Sequence, residues 1–153
     1  MEDIKHILVV SRITKCCHTA VRYGVSLARK YGAELSVLHT IDTVWLRGWS
    51  VPMITVEEEY NKELKRTEEE LDDIISNENK SGLRIKKFVK EGDPTEEILK
   101  VIEEENIDLV ILLAHGESRF EHFFFGRSNE EISRKIPCSI LLIKGSQDDC
   151  QSG

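Results

Sequence analysis

The sequence predicts an α/β domain built on a parallel sheet, and three observations carry that prediction. Short, solidly apolar runs recur along the 153 residues, as strands buried on both faces require. Segments of helical periodicity separate these runs. Helix start and stop residues stand at the boundaries between them. Strands alternating with helices imply a parallel sheet with helices on both faces. Right-handed crossovers then leave few topologies. A chain of this length suits one domain and buries roughly 70% of its unfolded surface. We place that domain at residues 1–145, followed by a flexible polar tail at 146–153.

The first run, His6 to Ser11 (HILVVS), is a strand. A helix over Lys15 to Tyr31 follows, with Ala20, Tyr23, Gly24, Leu27 and Ala28 on one stripe. Gly32 closes it. Glu34 to Thr40 (ELSVLHT) is the second strand, and Ile41 to Ile54 is a loop. A long charged helix spans Thr55 to Lys80 and ends at Gly82. Its stripe is Val56, Tyr60, Leu64, Leu71, Ile74 and Ile75. The acidic run Glu57 to Asp73 reads as its solvated face, with charges spaced for i, i+4 pairing. Leu83 to Lys90 alternates as a third strand. Asp93-Pro94-Thr95-Glu96 is a helix start: Asp caps, Pro takes the first helical position and Glu completes a capping box. Ile98, Leu99, Val101 and Ile102 form that helix's buried face. Asp108 to Leu113 (DLVILL) is the fourth strand. A loop from Ala114 to Phe125 is long enough to be functional. A short helix, Arg127 to Lys135, stops at Pro137, and Cys138 to Lys144 (CSILLIK) is the last strand.

Composition excludes several classes. Apolar residues make up 40% and charged residues 32%, so the chain is globular rather than disordered. A net charge of −7 argues against general affinity for nucleic acid or anionic membrane, which need a basic face. The segment Met1 to His6 is polar and the next apolar run is too short for a signal core or a membrane span. Cys16, Cys17, Cys138 and Cys150 lack CxxC spacing and read as reduced thiols of a cytoplasmic protein.

Three stretches resemble the universal stress protein family, and the likeness runs from about residue 5 to 144. EGDPTEEILKVIEEENIDLVILLAHG (Glu91 to Gly116) is similar to the segment joining that family's third and fourth strands. IPCSILLIK (Ile136 to Lys144) is similar to its closing strand, and ARKYGAELSVLHTID (Ala28 to Asp42) to its first helix end and second strand. The resemblance implies a three-layer, Rossmann-like fold of the adenine-nucleotide α-hydrolase-like type. Its five parallel strands would run in the order 3-2-1-4-5. It also implies a stress-linked regulatory role and a homodimer through the C-terminal strand, here Cys138 to Lys144. Many members of the family bind ATP and others do not.

The nucleotide-binding members carry Gly, two residues, Gly, nine residues, Gly, then Ser or Thr. Glycines let backbone N–H groups approach phosphates at a helix N-terminus. Laid onto this chain, the first glycine is Leu113, the second Gly116 and the third Gly126. The hydroxyl position is Arg127, with Ser128 one residue late. After the first strand, binding members place an acidic residue in a pattern like Asp-Gly-Ser. Here those positions are Arg12, Ile13 and Thr14. Ile41 matches an apolar position lining the adenine pocket. The candidate ligand-contacting set is therefore Arg12, Thr14, Ile41, Gly116, Gly126, Arg127 and Ser128. Restoring the family residues at Arg12, Leu113 and Arg127 together is expected to raise ATP affinity.

Other features carry paired readings. Arg12 and Arg127 suit an anion, phosphate or carboxylate, or swing to solvent, or plug the vacated pocket by pairing with Glu117 or Glu130. His115 either contacts a ligand or is structural. Cys16, Cys17 and His18 are ordinary residues at a helix start, or a thiol activated by the helix N-terminus. Phe120, Phe123, Phe124 and Phe125 pack a loop or meet a partner. Trp45 and Trp49, around Arg47, pack locally or contact a partner.

No nucleophile elbow, metal-ligand histidine pair or Walker-type lysine loop is present in the sequence. The reading is therefore a non-enzymatic regulatory protein without a metal, in one of two forms. One is a dimeric adaptor with a degenerate nucleotide site, taking a protein partner or a small anionic ligand. The other is an ATP-binding stress sensor using Gly116, Gly126 and Ser128.

Overall fold

The structure is a computed structural model that describes residues 3–11, 17–41, 53–114 and 133–144. In chain order these form β1 (His6–Ser11), α1 (Cys17–Tyr31), β2 (Glu34–Ile41), α2 (Met53–Glu78) and β3 (Ile85–Glu91). They continue as α3 (Pro94–Glu104), β4 (Leu109–Ala114) and β5 (Ser139–Lys144). All pairings are parallel, in the order β3-β2-β1-β4-β5. The chain moves outward from β1 to β3, then returns to place β4 on β1's other side. The β1/β4 seam is thus the point where strand order reverses, and in sheets of this kind the ligand crevice lies at the carboxyl ends of the strands at that point.

Alternation along each strand sorts side chains to two faces. Ile7, Val9, Leu35, Val37, Leu109, Ile111 and Leu113 pack with Ala20, Val21, Val25 and Ala28 of α1 and with Leu71 and Ile74 of α2. Leu8, Val10, Leu38, Val110 and Leu112 pack on the other face, with Ile98, Val101 and Ile102 of α3. At the amino edge Asp108 joins the halves. Its Oδ2 accepts the backbone N–H groups of Lys5 and His6, each at 2.8 Å, and its own N–H donates to the His6 carbonyl at 2.9 Å.

The helix boundaries follow local chemistry. Gly32 takes φ +66, and the Ala33 N–H donates to the Ala28 carbonyl at 2.9 Å, closing α1 with a left-handed cap. Asp93 caps α3 by accepting the Glu96 N–H at 3.1 Å, with Pro94 at the first helical position. The expected capping box is half formed: among the described residues Glu96 returns no bond to Asp93.

Two expectations are corrected. Tyr23 does not share the buried stripe of α1. It is 49% exposed, and Val21 and Val25 take the stripe with Ala20, Gly24 and Ala28. Small residues let α1 lie close on β1, and a tyrosine has no room in that seam. Gly82 does not end α2, which stops at Glu78. The Asn79 carboxamide closes the turn, its Oδ1 accepting the Leu83 N–H at 2.9 Å.

Candidate functional site

The carboxyl edge of the sheet is where its apolar strands turn polar. β1 ends in Ser11 and β2 in His39-Thr40-Ile41, and Ser11 pairs in register with His39. Ser11, His39 and Thr40 are all buried. The His39 ring Nδ1 lies 3.0 Å from the Ser11 carbonyl oxygen. That oxygen can only accept, so Nδ1 carries the hydrogen. Burial pushes the His39 pKa down, against a smaller upward pull from this hydrogen bond. The ring is therefore neutral near pH 7, with Nε2 left as an acceptor. The Ser11 hydroxyl, on the α1/α2 face, and the Thr40 hydroxyl, on the α3 face, are buried with no hydrogen-bond partner among the described residues. Two unpaired hydroxyls flanking the carboxyl ends of neighbouring strands are costly unless something polar reaches them.

Ile41 closes β2 rather than opening a loop. It pairs with Glu91 and is half-buried, and its carbonyl accepts the Gly92 N–H at 3.0 Å. Tyr60 of α2 stands near the same corner. Its phenol is pushed up to about 12, first by burial and then by the Glu91 carboxylate. The hydroxyl feels that charge without sitting in hydrogen-bonding geometry, so it is a neutral donor across the physiological range.

Of the residues expected to contact ligand, the structure describes Ile41. Arg12, Thr14, Gly116, Gly126, Arg127 and Ser128 lie outside the described residues, as do His115, Cys16, Trp45, Trp49 and the phenylalanines from Phe120 to Phe125. Arg12 nonetheless directly follows Ser11 in the chain. His18 is described: its Nδ1 lies 3.2 Å from Glu78 Oε1, on the outer side of α1. Among the described residues no cluster of His, Cys, Asp or Glu is arranged to hold a metal ion. The nearest serine–histidine pair, Ser11 with His39, is joined through the serine's carbonyl. A protonated Nδ1 cannot take a proton from the hydroxyl, so this pair is not a nucleophile and base.

Leu113 occupies the position of the motif's first glycine, and its side chain is 4% exposed. It packs on the α1/α2 face and pairs in register with Ile143. The restoration expected to raise ATP affinity would therefore also delete a core side chain. Sequence reasoning also passed over Ser11, His39, Thr40 and Tyr60. The available signal was the polar interruption at the end of two otherwise apolar strands, VVS and LHT.

His39 makes stability depend on pH in a definite sense. Its folded pKa lies below the ordinary histidine value of 6.5, so below pH 6.5 the unfolded chain binds a proton that the fold excludes. Stability should fall as pH drops from 6.5, by at most about 1.4 kcal/mol per pH unit. His39→Asn keeps a donor toward Ser11 and removes the titration. Urea melts at pH 7 and 5.5 should show a smaller loss in the variant. An equal loss in both proteins would exclude His39 as the source.

Comparison with known proteins places these features. The universal stress protein family profile matches residues 3–144. A universal stress protein of Methanothermobacter thermautotrophicus is 30% identical over 131 residues, covering 81% of this chain and 85% of that protein. The solved structure of MJ0577 superposes with a TM-score of 0.74 at 23% identity, covering 95% of this chain and 99% of that one. MJ0577 is a universal stress protein of Methanocaldococcus jannaschii. A universal stress protein from Archaeoglobus fulgidus, solved in complex with dAMP, superposes with a TM-score of 0.64 at 15% identity, covering 94% and 100%.

Proposed function

Because the chain belongs to the universal stress protein family, we propose that it is a non-enzymatic, cytoplasmic, dimeric adaptor whose nucleotide crevice has degenerated. The observation that carries this reading is Leu113. A buried, core-packed leucine stands where nucleotide-binding members place a glycine, and Arg12 and Arg127 alter two further positions of the same motif.

The two edges of the sheet support the dimer. β3 carries Lys86, Lys87 and Lys90, a lysine-rich edge that resists pairing with another chain. Lys86 and Lys87 are further tied to Glu105 and Asp72, at 3.0 and 2.7 Å. β5 reads Ser-Ile-Leu-Leu-Ile-Lys, and its Leu142 is 50% exposed. An apolar edge strand of this kind favours self-association, whereas the β3 edge does not.

The second reading, an ATP-binding sensor, is favoured by the unpaired Ser11 and Thr40 hydroxyls at the crevice and by the dAMP bound to the Archaeoglobus relative. It would use Gly116, Gly126 and Ser128, which keep the motif's nine-residue spacing.

One experiment separates the two: light scattering and thermal melting of the purified protein, with and without 1 mM Mg-ATP (about 100 times a dissociation constant of about 10 µM). The adaptor reading expects a dimer and a melting temperature moved by less than about 1 °C. A site with that dissociation constant would add about 2.7 kcal/mol, or roughly 5–10 °C for a domain of this size. A shift of that size, or co-purified adenine nucleotide, establishes the sensor. A monomer at tens of micromolar (about the range in which weak dimers dissociate) defeats the dimer.

A further inference from the structure

On the outer side of α1, away from the crevice, an open trough of about 450 Å³ runs against the end of α2. Arg22, Val25, Ser26, Arg29, Lys30 and Glu78 line it. The α1 members fall at intervals of three, four, seven and eight, one continuous helix face. Glu78 is already engaged. Its Oε2 accepts Arg22 Nε at 2.8 Å, and its Oε1 accepts Arg22 Nη2 and faces His18 Nδ1, each at 3.2 Å. The Arg22 hydrogen bond is the largest influence holding the Glu78 carboxyl below its ordinary range. Arg29 and Lys30 are exposed and make no ion pair or hydrogen bond among the described residues. A patch of net positive charge therefore stands on a chain whose net charge is −7.

Cations in the last turn of a helix offset its dipole, and that accounts for Arg29 and Lys30 singly. It does not account for Arg22 two turns earlier, for the hydroxyl of Ser26 between the cations, or for the hollow they enclose. Tyr23, half exposed, flanks the same stripe. Tyrosine and arginine together are the composition of protein-binding surfaces.

We propose that this trough binds an acidic protein segment bearing a phosphate group. Arginine clusters recognise phosphorylated segments through forked, charge-assisted hydrogen bonds. Arg29 and Lys30 supply uncommitted donors, and Arg22, held by Glu78, is oriented along the same face. The open shape selects a peptide over a free metabolite. A small ligand needs a site that buries most of its surface, whereas an extended segment can lie along the helix, over Val25 and beside Tyr23. The site is separate from the crevice, so it stands whether or not a nucleotide binds there.

The test is fluorescence polarisation with a labelled octapeptide of Gly and Ala carrying a central phosphoserine flanked by two glutamates. Saturable binding is expected, at least ten-fold weaker for the unphosphorylated peptide and weakening as salt rises. The exposed double substitution Arg29→Gln, Lys30→Gln should lower the melting temperature by no more than a few degrees and weaken binding at least ten-fold. Arg29→Glu, Lys30→Glu should abolish it. Unchanged affinity in either double variant, or no saturable binding by the native protein, overturns the proposal. Inorganic phosphate competing at the peptide's own concentration would make the ligand a free anion and overturn the assignment to a protein segment.

Discussion

Replacing Gly24 with isoleucine is expected to cost about 3 kcal/mol through overpacking, which lowers the melting temperature by roughly 6–12 °C. A Cβ at this position would lie 2.5 Å from the Val9 Cγ2 methyl and 3.1 Å from Leu35 Cδ1. Val9 is fully buried, and its branched side chain has one strongly preferred rotamer, so neither rotation nor retreat relieves the contact. Gly24→Ala is the informative intermediate. Helix propensity favours alanine by about 0.8–1.0 kcal/mol, while overpacking costs about 1–3 kcal/mol. The clash should win narrowly, and the variant should melt a few degrees lower. Tyr23→Ala, one residue away on the exposed side, should stay within about 0.5 kcal/mol. A rise in melting temperature for Gly24→Ala would show that α1 stands off β1 further than this geometry places it.

Gly24 also illustrates what was legible in the sequence. Its place on the buried side of α1 could be read from periodicity. The closeness of approach could not, because it depends on which strand residue faces it across the layer. The strands were legible for a related reason. HILVVS, DLVILL and CSILLIK are apolar along their centres, as strands of a parallel sheet covered on both faces require. Tyr23 was misplaced because an amphipathic aromatic fits a stripe by spacing alone, and what excludes it is the tight seam that small residues create. The strand order rested on family resemblance, since alternation and handedness permit several orders.

The candidate site was legible in outline only. Loops at the carboxyl ends follow from the topology. The buried polar edge of Ser11, His39 and Thr40 required knowing that these residues meet across paired strands. Ser11 and His39 are twenty-eight residues apart in the chain and 3.0 Å apart in space. Leu113 reads from the sequence as a departure from the nucleotide motif. Its consequence was not readable, because the sequence cannot say whether a leucine at a strand's end points into the crevice or into the core.

Leu113→Gly, the single step that most literally repairs the motif, is expected to destabilise the protein by about 2.5–6 kcal/mol. Truncating a buried leucine to alanine costs about 2–5 kcal/mol through lost transfer energy and the cavity left behind. Glycine costs about a further 0.5–1 kcal/mol for its backbone freedom within a strand. Leu113 is 4% exposed, sits in the larger core cluster and pairs with Ile143, so a central β4 and an edge β5 both lose packing. Nucleotide offsets only the low end of this loss. ATP at about 100 times its dissociation constant returns about 2.7 kcal/mol, less than half of the upper end of the cost. The triple change Arg12→Asp, Leu113→Gly, Arg127→Ser should therefore melt at least about 5 °C lower and show no calorimetric binding of ATP near the native melting temperature. Arg12→Asp with Arg127→Ser keeps Leu113 and should melt close to the native protein. A loss below about 1 kcal/mol for Leu113→Gly would mean that the strand end tolerates glycine. The leucine would then no longer argue against a nucleotide in the crevice.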